Sequence, residues 1–200
     1  MQSLLTINNL CKNYRRSNSL FSSSLESAYK NINFSLQAGK TLSIIGESGS
    51  GKSTLVQTIA GLREQTTGNI YLNGKELTEL TTQERCKSIR MLFHAPSNSL
   101  NPKATIGRIL LAPLLLNSNL NAEQCDERIK KTLNLVGLLP DYLAFYPNML
   151  SSIQQHQVAL ARAMVLEPDI IIADEILAGL DISLRFKIVN LLLKIQEKKA

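Results

Sequence analysis

The sequence predicts an α/β fold in which a mostly parallel sheet carries an antiparallel β part at its N-terminal end and a helical insertion in its middle. Strand-like segments occupy both ends of the chain, and the pattern between about 105 and 166 is helical. Asp169–Ala173 is a continuous apolar run of the kind found in parallel strands buried on both faces. A chain of 200 residues is long enough to bury one sizeable core.

Short strands separated by turns are predicted for the N-terminal part. In Ile32–Leu36, apolar and polar residues alternate with the period of a half-buried strand. Thr41–Ile45 is predicted to be a strand that leads directly into a glycine-rich turn, and Asn73-Gly74 is a strong turn signal after another strand. The serine-rich residues 17–27 predict an exposed loop. The other predicted strands are Leu4–Ile7, Asn69–Leu72 and Arg90–Phe93.

The middle of the chain predicts a helical subdomain. Asn121 is placed to cap a helix, with Gln124 in the capping-box position, and Gly137 followed by Pro140 ends that helix. A final helix is predicted from Asp181, its cap, to about residue 197. We therefore predict an α/β core formed by residues 1–96 and 167–200, and a helical subdomain formed by residues 97–166.

Composition and charge exclude several classes of protein. With 44% hydrophobic and 19% charged residues, the chain is not a disordered one. The longest apolar run, Ile109–Leu116, has eight residues and contains Pro113, whereas a membrane-spanning helix needs about 20. The net charge of +6 is spread in small groups without interleaved aromatic residues, so no nucleic-acid partner is expected. The three cysteines are widely spaced, which predicts a reducing, cytoplasmic compartment.

The strongest chemical motif is a glycine-rich turn between a predicted strand and a predicted helix. Its glycines allow successive backbone N–H groups to point at a phosphate, with the N-terminus of the next helix behind them. Lys52 is placed to reach the β- and γ-phosphates of a nucleotide, and the Ser53 hydroxyl is placed to ligate Mg²⁺. This phosphate-binding loop predicts a P-loop NTPase core. Its residues, all expected to bind the nucleotide, are Gly46, Glu47, Ser48, Gly49, Ser50, Gly51, Lys52, Ser53 and Thr54.

Two acidic residues follow the apolar run Asp169–Ala173, at the end of the strand where open α/β sheets bind ligands. Asp174 is expected to orient Mg²⁺ and its waters, and Glu175 to polarise the water that attacks the γ-phosphate. Lys52 and Asp174 lie 122 positions apart, with the helical block between them. This spacing favours an ATPase that grips a partner over a small nucleoside kinase.

With these motifs in this order, the chain resembles the ATP-binding subunits of ABC transporters over nearly its whole length. Tyr14 stands where these proteins stack an aromatic ring on adenine. Ser99–Pro102 is similar to the peptide and nickel importer branch, and within that branch Val136–Asp141 and Asn148–Leu150 are similar to the Sap-type, antimicrobial-peptide members. The other matching segments are Phe93–Ser97 at the glutamine loop, Leu150–Gln155 at the signature motif, Ala159–Ala163 after it, and Ala178–Asp181 after the acidic pair.

The resemblance implies how such a subunit works. In that family two ATPase subunits sandwich two ATP molecules, and each site uses the phosphate-binding loop of one subunit and the signature helix of the other. The helix that begins near Ser151 is thus implied to direct its amides and the serine hydroxyl at the partner's γ-phosphate. His94, in the glutamine loop, is implied to take part in catalysis with Glu175. Integral membrane permease subunits, a peripheral location at the cytoplasmic face of the inner membrane, and peptide transport powered by ATP are also implied.

Several positions depart from the family's pattern. His94 replaces the usual glutamine, Gln157 stands where a basic residue is common, and Ser152 and Ile153 replace two glycines of the signature motif. A β-branched residue is expected to crowd the approach of a phosphate, so Ile153→Gly should raise turnover. No histidine follows Glu175 and the sequence stops within its last helix. We therefore expect a C-terminally truncated chain and two unequal nucleotide sites in the dimer.

Three functional classes remain open at this point. The first is a transport ATPase that couples ATP hydrolysis to peptide transport through separate membrane subunits. The second is a catalytically degenerate, nucleotide-binding subunit that only stabilises the complex. The third is a P-loop phosphotransferase or a DNA-repair-type ATPase. Hydrolysis that depends on Lys52 separates the first class from the second, and turnover stimulated by DNA would favour the third.

Overall fold

The computed structural model describes residues 3–19, 22–93 and 99–197. The chain divides into two compact units, one ending at Arg85 and the other beginning at Cys86. Among the described residues, no helix combines the length and the apolar character that crossing a membrane would require.

The first unit is built on an antiparallel sheet. Strands β1 (Leu5–Ser19) and β2 (Ser22–Leu36) form a long hairpin in which Leu5 lies opposite Leu36. Strand β3 (Thr67–Leu72) pairs with the other edge of β1 and with the short strand β4 (Lys75–Glu76), which gives the order β2-β1-β3-β4. Asn73 and Gly74 have positive φ angles of 50° and 80°, which the tight turn between β3 and β4 requires. The predicted turn there is confirmed.

Helix α1 (Lys52–Ile59) follows the glycine-rich turn. Together with the sheet it supplies the buried residues of the first unit's core. Its side chains Leu55, Thr58 and Ile59 are buried. Leu5, Ile7, Leu10, Ile70 and Leu72 supply the buried face of the sheet. Leu5 and Ile7, like Ile70 and Leu72, alternate with other residues because successive side chains point to opposite faces. A register shift between Ile7 and Leu10 interrupts this alternation in β1.

Two predicted elements of the first unit are wrong. The predicted loop at 17–27 is not formed in its described residues: 17–19 and 22–27 extend the hairpin, with Ser17 opposite Ser23 and Asn13 opposite Ser27. Pairing between the two strands overrides the weak strand preference of serine. The predicted strand Thr41–Ile45 is not formed, and Ile45 is 91% exposed. The apolar composition of Thr41–Ile45 fits a buried strand. In the described part of the chain, however, no neighbouring strand forms a ladder of backbone hydrogen bonds with this segment, so it is not part of a sheet.

The second unit combines a parallel strand pair with a helical block. Helix α2 (Thr82–Ser88) crosses the boundary between the units and leads into strand β5 (Ile89–Leu92). Strand β6 (Ile170–Ala173) pairs with β5 in parallel. The remaining helices are α3 (Ile106–Asn117), α4 (Ala122–Leu135), α5 (Ser152–Met164) and α6 (Ile182–Glu197), with short 3₁₀ turns at Pro140–Ala144 and Pro147–Met149.

The predicted helix signals of the second unit are confirmed. The Asn121 side chain accepts the Gln124 N–H at 2.9 Å, and the Gln124 side chain accepts the Asn121 N–H at 3.0 Å, which is the expected capping box. Gly137 ends α4 with a φ of 82°. Asp181 caps α6 by accepting the Leu184 N–H at 2.9 Å.

The core of the second unit lies among α3, α4 and α5. Leu110, Leu114, Leu133, Val136 and Val158 are almost completely buried there. Pro113 lies inside α3 and is itself buried, and the Asn117 side chain donates to its carbonyl at 2.9 Å. The α/β fold class is confirmed. Among the described residues, the parallel sheet contains two strands, β5 and β6. The predicted division into residues 1–96 with 167–200 and residues 97–166 stays a prediction.

Candidate functional site

The phosphate-binding loop of the first unit is held together by Lys52. Its ammonium group donates to the carbonyl of Gly46 at 2.8 Å and to the carbonyl of Glu47 at 2.6 Å, and it lies 3.4 Å from the Ser50 hydroxyl. The Ser50 N–H also donates to the Glu47 carbonyl at 3.2 Å. The loop is therefore closed around its own lysine.

Glycine is required at two positions of this loop. Gly49 and Gly51 have φ angles of 81° and 88°, in the left-handed region that side chains with a Cβ rarely adopt. A Cβ on Gly51 would lie 2.1 Å from the Ala28 carbonyl oxygen, whereas a Cβ on Gly49 would meet nothing within 4 Å. The loop thus packs directly against the backbone of β2 at Gly51.

A buried tyrosine anchors the helix behind the loop. The Tyr29 hydroxyl of β2 donates to the Thr58 hydroxyl at 2.9 Å, and Thr58 donates to the Thr54 carbonyl at 2.9 Å. Burial raises the pKa of the Tyr29 hydroxyl above its usual value, and the hydrogen bond with Thr58 opposes that effect. Sequence reasoning did not identify Tyr29 or Thr58, because neither belongs to a recognisable motif.

Tyr14, the predicted adenine-stacking residue, is half-buried on β1 and lies near two cations. The Lys12 ammonium is 5.2 Å from the centre of its ring, and the Arg63 guanidinium carbon is 6.0 Å from that centre. Arg63 also donates to the Tyr14 hydroxyl at 3.2 Å. The ring has a defined environment in the first unit, the unit that contains the phosphate-binding loop.

The two predicted acids of the second unit follow the parallel strand pair. Leu92 lies opposite Ala173 at the ends of β5 and β6, and the Asp174 N–H continues the ladder by donating to the Leu92 carbonyl at 3.1 Å. Asp174 is half-buried and Glu175 is exposed, while Ile176 is buried in the core. Glu175 has a φ of 50°, a strained conformation for a residue with a Cβ and one that concentrates at functional sites.

The predicted catalytic residue His94 lies outside the described residues. Phe93, the residue before it, comes directly after β5, as Asp174 comes directly after β6. Ser99, where the described chain resumes, is held by the signature helix, because Arg162 of α5 donates to the Ser99 carbonyl at 2.7 Å and lies 2.6 Å from the Ser99 hydroxyl. Burial, and after it the neighbouring Arg90, lowers the pKa of the Arg162 guanidinium.

Ser151 occupies the predicted position at the N-terminus of α5. Its hydroxyl donates to the Gln154 side-chain oxygen at 3.0 Å and accepts the Gln154 N–H at 3.4 Å, and the same side-chain oxygen accepts the Ser151 N–H at 2.9 Å. The Gln154 amide also donates to the Tyr142 hydroxyl at 2.8 Å. The start of the signature helix is therefore a closed capping box whose glutamine is fixed by a tyrosine.

The residues that depart from the signature pattern have structural contacts of their own. Ile153 is half-buried and packs against the core of the second unit. Gln157 donates to the Val136 carbonyl at 2.8 Å, and the buried His156 donates through Nδ1 to the Ser152 carbonyl at 2.9 Å. An isoleucine that packs inward gives no geometric support to the predicted crowding of a phosphate by Ile153.

Comparison with known proteins identifies the family. The family model described as ABC transporter matches residues 29–178. The peptide transport system ATP-binding protein SapF of Salmonella typhimurium (strain LT2) is 44% identical over 199 residues, which cover 100% of this chain and 74% of the relative. The putrescine export system ATP-binding protein SapF of Escherichia coli (strain K12) gives the same identity and coverage. The di/tripeptide transport ATP-binding protein DppF of Pseudomonas aeruginosa is 37% identical over 202 residues, which cover 99% of this chain and 62% of that relative.

Solved structures agree with the sequence relatives. The ATP-binding cassette MJ0796, in a dimeric post-hydrolysis state bound to ADP and Pi, is similar with a TM-score of 0.79 and 30% identity, covering 97% of this chain and 83% of that one. The cbiO1 protein of Clostridium perfringens, part of the ABC transporter complex cbiONQ, gives a TM-score of 0.81 and 27% identity, covering 100% of this chain and 76% of that one. These matches favour the transport ATPase over the two other classes left open by the sequence. The chain belongs to the ABC transporter family, as an ATP-binding subunit that hydrolyses ATP to drive transport.

Proposed function

We propose that this subunit powers the transport of peptides and that its phosphate-binding loop, Gly46–Thr54, holds the triphosphate of ATP. The observation that supports the loop's role most directly is the position of Lys52, the first residue of α1, whose ammonium donates to the carbonyls of Gly46 and Glu47. Loop amides, a helix N-terminus and a lysine together form the arrangement that binds a β- and γ-phosphate.

Mg²⁺ is proposed to bind through Ser53 and Asp174. A hydroxyl and a carboxylate are hard oxygen donors, which are the ligands that Mg²⁺ takes in nucleotide sites alongside phosphate oxygens and water. Bound there, Mg²⁺ would neutralise charge on the β- and γ-phosphates. Ser53 is exposed on the first turn of α1, and Asp174 is half-buried directly after β6. The two side chains thus fit the donor chemistry of the ion.

Glu175 is proposed to polarise the attacking water. Its carboxylate is exposed, and Glu175 follows Ala173, the last residue of β6, by two positions. A positioned carboxylate that accepts a proton from water contributes about 10²- to 10⁴-fold to such a reaction. His94 is proposed as a second catalytic group, on the basis of the sequence, and Tyr14 as the platform on which adenine stacks.

A second ATPase subunit and integral membrane permease subunits are the proposed partners, with the chain bound peripherally to the cytoplasmic face of the inner membrane. Cassettes of this family dimerise, and MJ0796 was solved as a dimer. Ser151, at the N-terminus of α5, is proposed to face the γ-phosphate held by the second subunit. To do so, its hydroxyl would exchange the bond to Gln154 for one to phosphate oxygen.

The transported substrate is proposed to be a peptide, because the relatives named for peptide transport include both the SapF of Salmonella and the DppF of Pseudomonas. Putrescine is the second candidate, because the Escherichia coli SapF is named for putrescine export. Membrane vesicles that contain this subunit and its permeases distinguish the two, since ATP-dependent movement of a labelled peptide or of labelled putrescine identifies the substrate.

Hydrolysis by the purified subunit tests the proposed site. Lys52→Ala should remove both ATP binding and hydrolysis, whereas Glu175→Gln should keep binding and lower turnover about 100-fold or more. Lys40→Ala is the matched control, because Lys40 is an exposed lysine before the loop and its loss removes the same charge. Turnover that survives in both Lys52→Ala and Glu175→Gln would reject the proposed catalytic residues.

A further inference from the structure

Arg63 connects two parts of the first unit that the proposed function uses separately. Its Nε donates to the Gln57 side-chain oxygen at 2.5 Å, and its Nη1 donates to the Tyr14 hydroxyl at 3.2 Å. The guanidinium group is planar and rigid, so two of its donors fix its orientation relative to both partners. A single side chain therefore spans from α1 to β1.

The two ends of this bridge have different roles. Gln57 lies in α1, the helix that begins with Lys52, and is half-buried there. Tyr14 lies on β1, and Arg63 comes after α1 has ended. The bridge thus joins the helix behind the phosphate-binding loop to the aromatic ring that is proposed to receive adenine.

A second contact holds the same turn against β1. The Lys12 ammonium donates to the Glu64 carbonyl at 2.6 Å while lying 5.2 Å from the centre of the Tyr14 ring. Arg63 and Glu64 are consecutive, so the turn after α1 is bonded to β1 at two positions, Tyr14 and Lys12. This arrangement restrains both the turn and the ring.

We infer that Arg63 is a positioning residue for nucleotide binding, which orients the Tyr14 ring for stacking with the nucleobase. This inference rests on the proposed function of Tyr14. The energy of stacking depends on the offset and tilt of the two rings, and a tyrosine held only at its Cβ rotates about two side-chain torsions. A donor on the phenol oxygen fixes the far end of the ring, and Gln57 fixes that donor relative to α1.

The bridge lies at the surface, so its loss should leave the fold intact. Arg63 is exposed and Tyr14 is half-buried. Removing an exposed arginine side chain changes the stability of a folded chain little. Arg15→Ala is a matched control, since Arg15 is an exposed arginine of β1 next to Tyr14 and its loss removes the same charge without touching the bridge.

The experiment compares the affinities of the full chain for ATP and for inorganic tripolyphosphate, both with Mg²⁺, by titration calorimetry. Tripolyphosphate has no base, so its binding reports the phosphate-binding loop alone. Arg63→Ala and Tyr14→Phe should each weaken ATP binding about threefold to tenfold, a part of the stacking energy of a base on an aromatic ring. Both variants should leave the affinity for tripolyphosphate unchanged, and Arg15→Ala should change neither affinity.

The double variant Tyr14→Phe with Arg63→Ala tests whether the two residues act as one unit. It should bind ATP no more weakly than either single variant, because both substitutions break the same bond. Additive losses would overturn the inference. A full ATP affinity in Arg63→Ala, or an equal loss of ATP and tripolyphosphate affinity, would overturn it as well.

Tyr14→Ala separates failure of this inference from failure of the proposed function. If Tyr14→Ala binds ATP as tightly as the unaltered chain, adenine does not stack on Tyr14 and both proposals are wrong. If Tyr14→Ala weakens ATP binding while Arg63→Ala does not, only the role of Arg63 is rejected. Arg63→Lys should behave like Arg63→Ala, because one ammonium group lacks the two divergent donors of the fork.

Discussion

Gly51 and Ala28 approach so closely that a Cβ on Gly51 would lie 2.1 Å from the Ala28 carbonyl oxygen. The contact joins the end of the phosphate-binding loop to β2, and Gly51 also has a φ of 88°. Backbone conformation and space therefore both require glycine at this position. The contact fixes where α1 begins relative to the sheet.

Substituting this glycine should destabilise the chain more than substituting its neighbour in the loop. Gly49→Ala adds only the strain of a left-handed residue, about 1–2 kcal/mol, because the space around Gly49 is open. Gly51→Ala adds the same strain and a steric clash of about 1–3 kcal/mol. Urea unfolding of the two variants measures the difference. Equal losses of unfolding free energy would show that β2 moves away from the loop at little cost.

Ile153→Gly should lower stability without raising turnover. The side chain packs against the core of the second unit, and glycine is a poor helix former in the first turn of α5. The combined loss of unfolding free energy should be about 2 kcal/mol. Ile153→Ala separates the lost packing from the backbone effect, and ATP turnover of the assembled dimer is measured in parallel. A higher turnover in Ile153→Gly would support the crowding predicted from the sequence instead.

The stability of the first unit should fall at alkaline pH because of Tyr29. Its pKa in the folded chain is raised, so the folded state retains the hydroxyl proton at a pH where the unfolded chain has lost it. The contribution is present below the ordinary tyrosine pKa of about 10 and is lost as the pH rises through the folded-state value. Chemical unfolding measured across that range should show this decline, and Tyr29→Phe should flatten it.

Tyr29→Phe also removes the hydrogen bond to Thr58. At neutral pH the loss should be about 1 kcal/mol, because Thr58 keeps its bond to the Thr54 carbonyl and no buried donor is left unpaired. Tyr71→Phe is the control, since Tyr71 is half-buried on β3 of the same unit. A decline with pH that persists unchanged in Tyr29→Phe would assign the effect to another group.

Replacing Glu167 with glycine should lower the unfolding free energy less than replacing it with alanine. Its carboxylate lies 3.0 Å from Arg128 and 3.5 Å from Lys131 of α4, and its φ is 53°. Both substitutions remove two partly exposed ion pairs, a loss of about 0.5–1 kcal/mol. Glycine also relieves the left-handed strain, so Glu167→Gly should exceed Glu167→Ala in unfolding free energy by about 1 kcal/mol. Alanine matching glycine would mean that the turn relaxes without strain.

The ion-pair part of that loss has its own signature. Partly exposed pairs are screened by salt, so the difference between the unaltered chain and Glu167→Ala should shrink between 0.1 M and 1 M salt. The difference between Glu167→Gly and Glu167→Ala, which reports the strain, should not change with salt, because that strain is local to the backbone. A salt-independent difference would show that the two contacts to α4 contribute nothing to stability.

Elements with local signals could be predicted from the sequence. The capping box of Asn121 and Gln124 and the turn at Asn73 and Gly74 are encoded within a few residues, and both are present in the structure. The phosphate-binding loop and the acids Asp174 and Glu175 were located by motif, and the structure places each directly after or before the expected element. Such motifs can be recognised from the sequence because their residue types and spacing are local.

Features that depend on pairing could not be predicted in the same way. Thr41–Ile45 has the composition of a buried strand, but a strand also needs a partner, which a local pattern does not specify. Residues 17–19 and 22–27 show the reverse case, since their serines become strand by pairing across the hairpin. The bridge from Gln57 through Arg63 to Tyr14 includes a bond between Arg63 and Tyr14, which are 49 positions apart in the sequence. No periodic pattern in the sequence indicates such a bond.

The bonds of Lys52 to the Gly46 and Glu47 carbonyls make the loop and its lysine a single folded unit. Phosphate binding must then exchange partners, because the ammonium group cannot keep all its present bonds while it neutralises a triphosphate. Replacing Lys52 removes a loop crosslink as well as a ligand contact. The affinity for tripolyphosphate that a Lys52 variant loses is therefore the lysine–phosphate contact less the loop bonds given up on binding, so this loss will understate the strength of the lysine–phosphate contact.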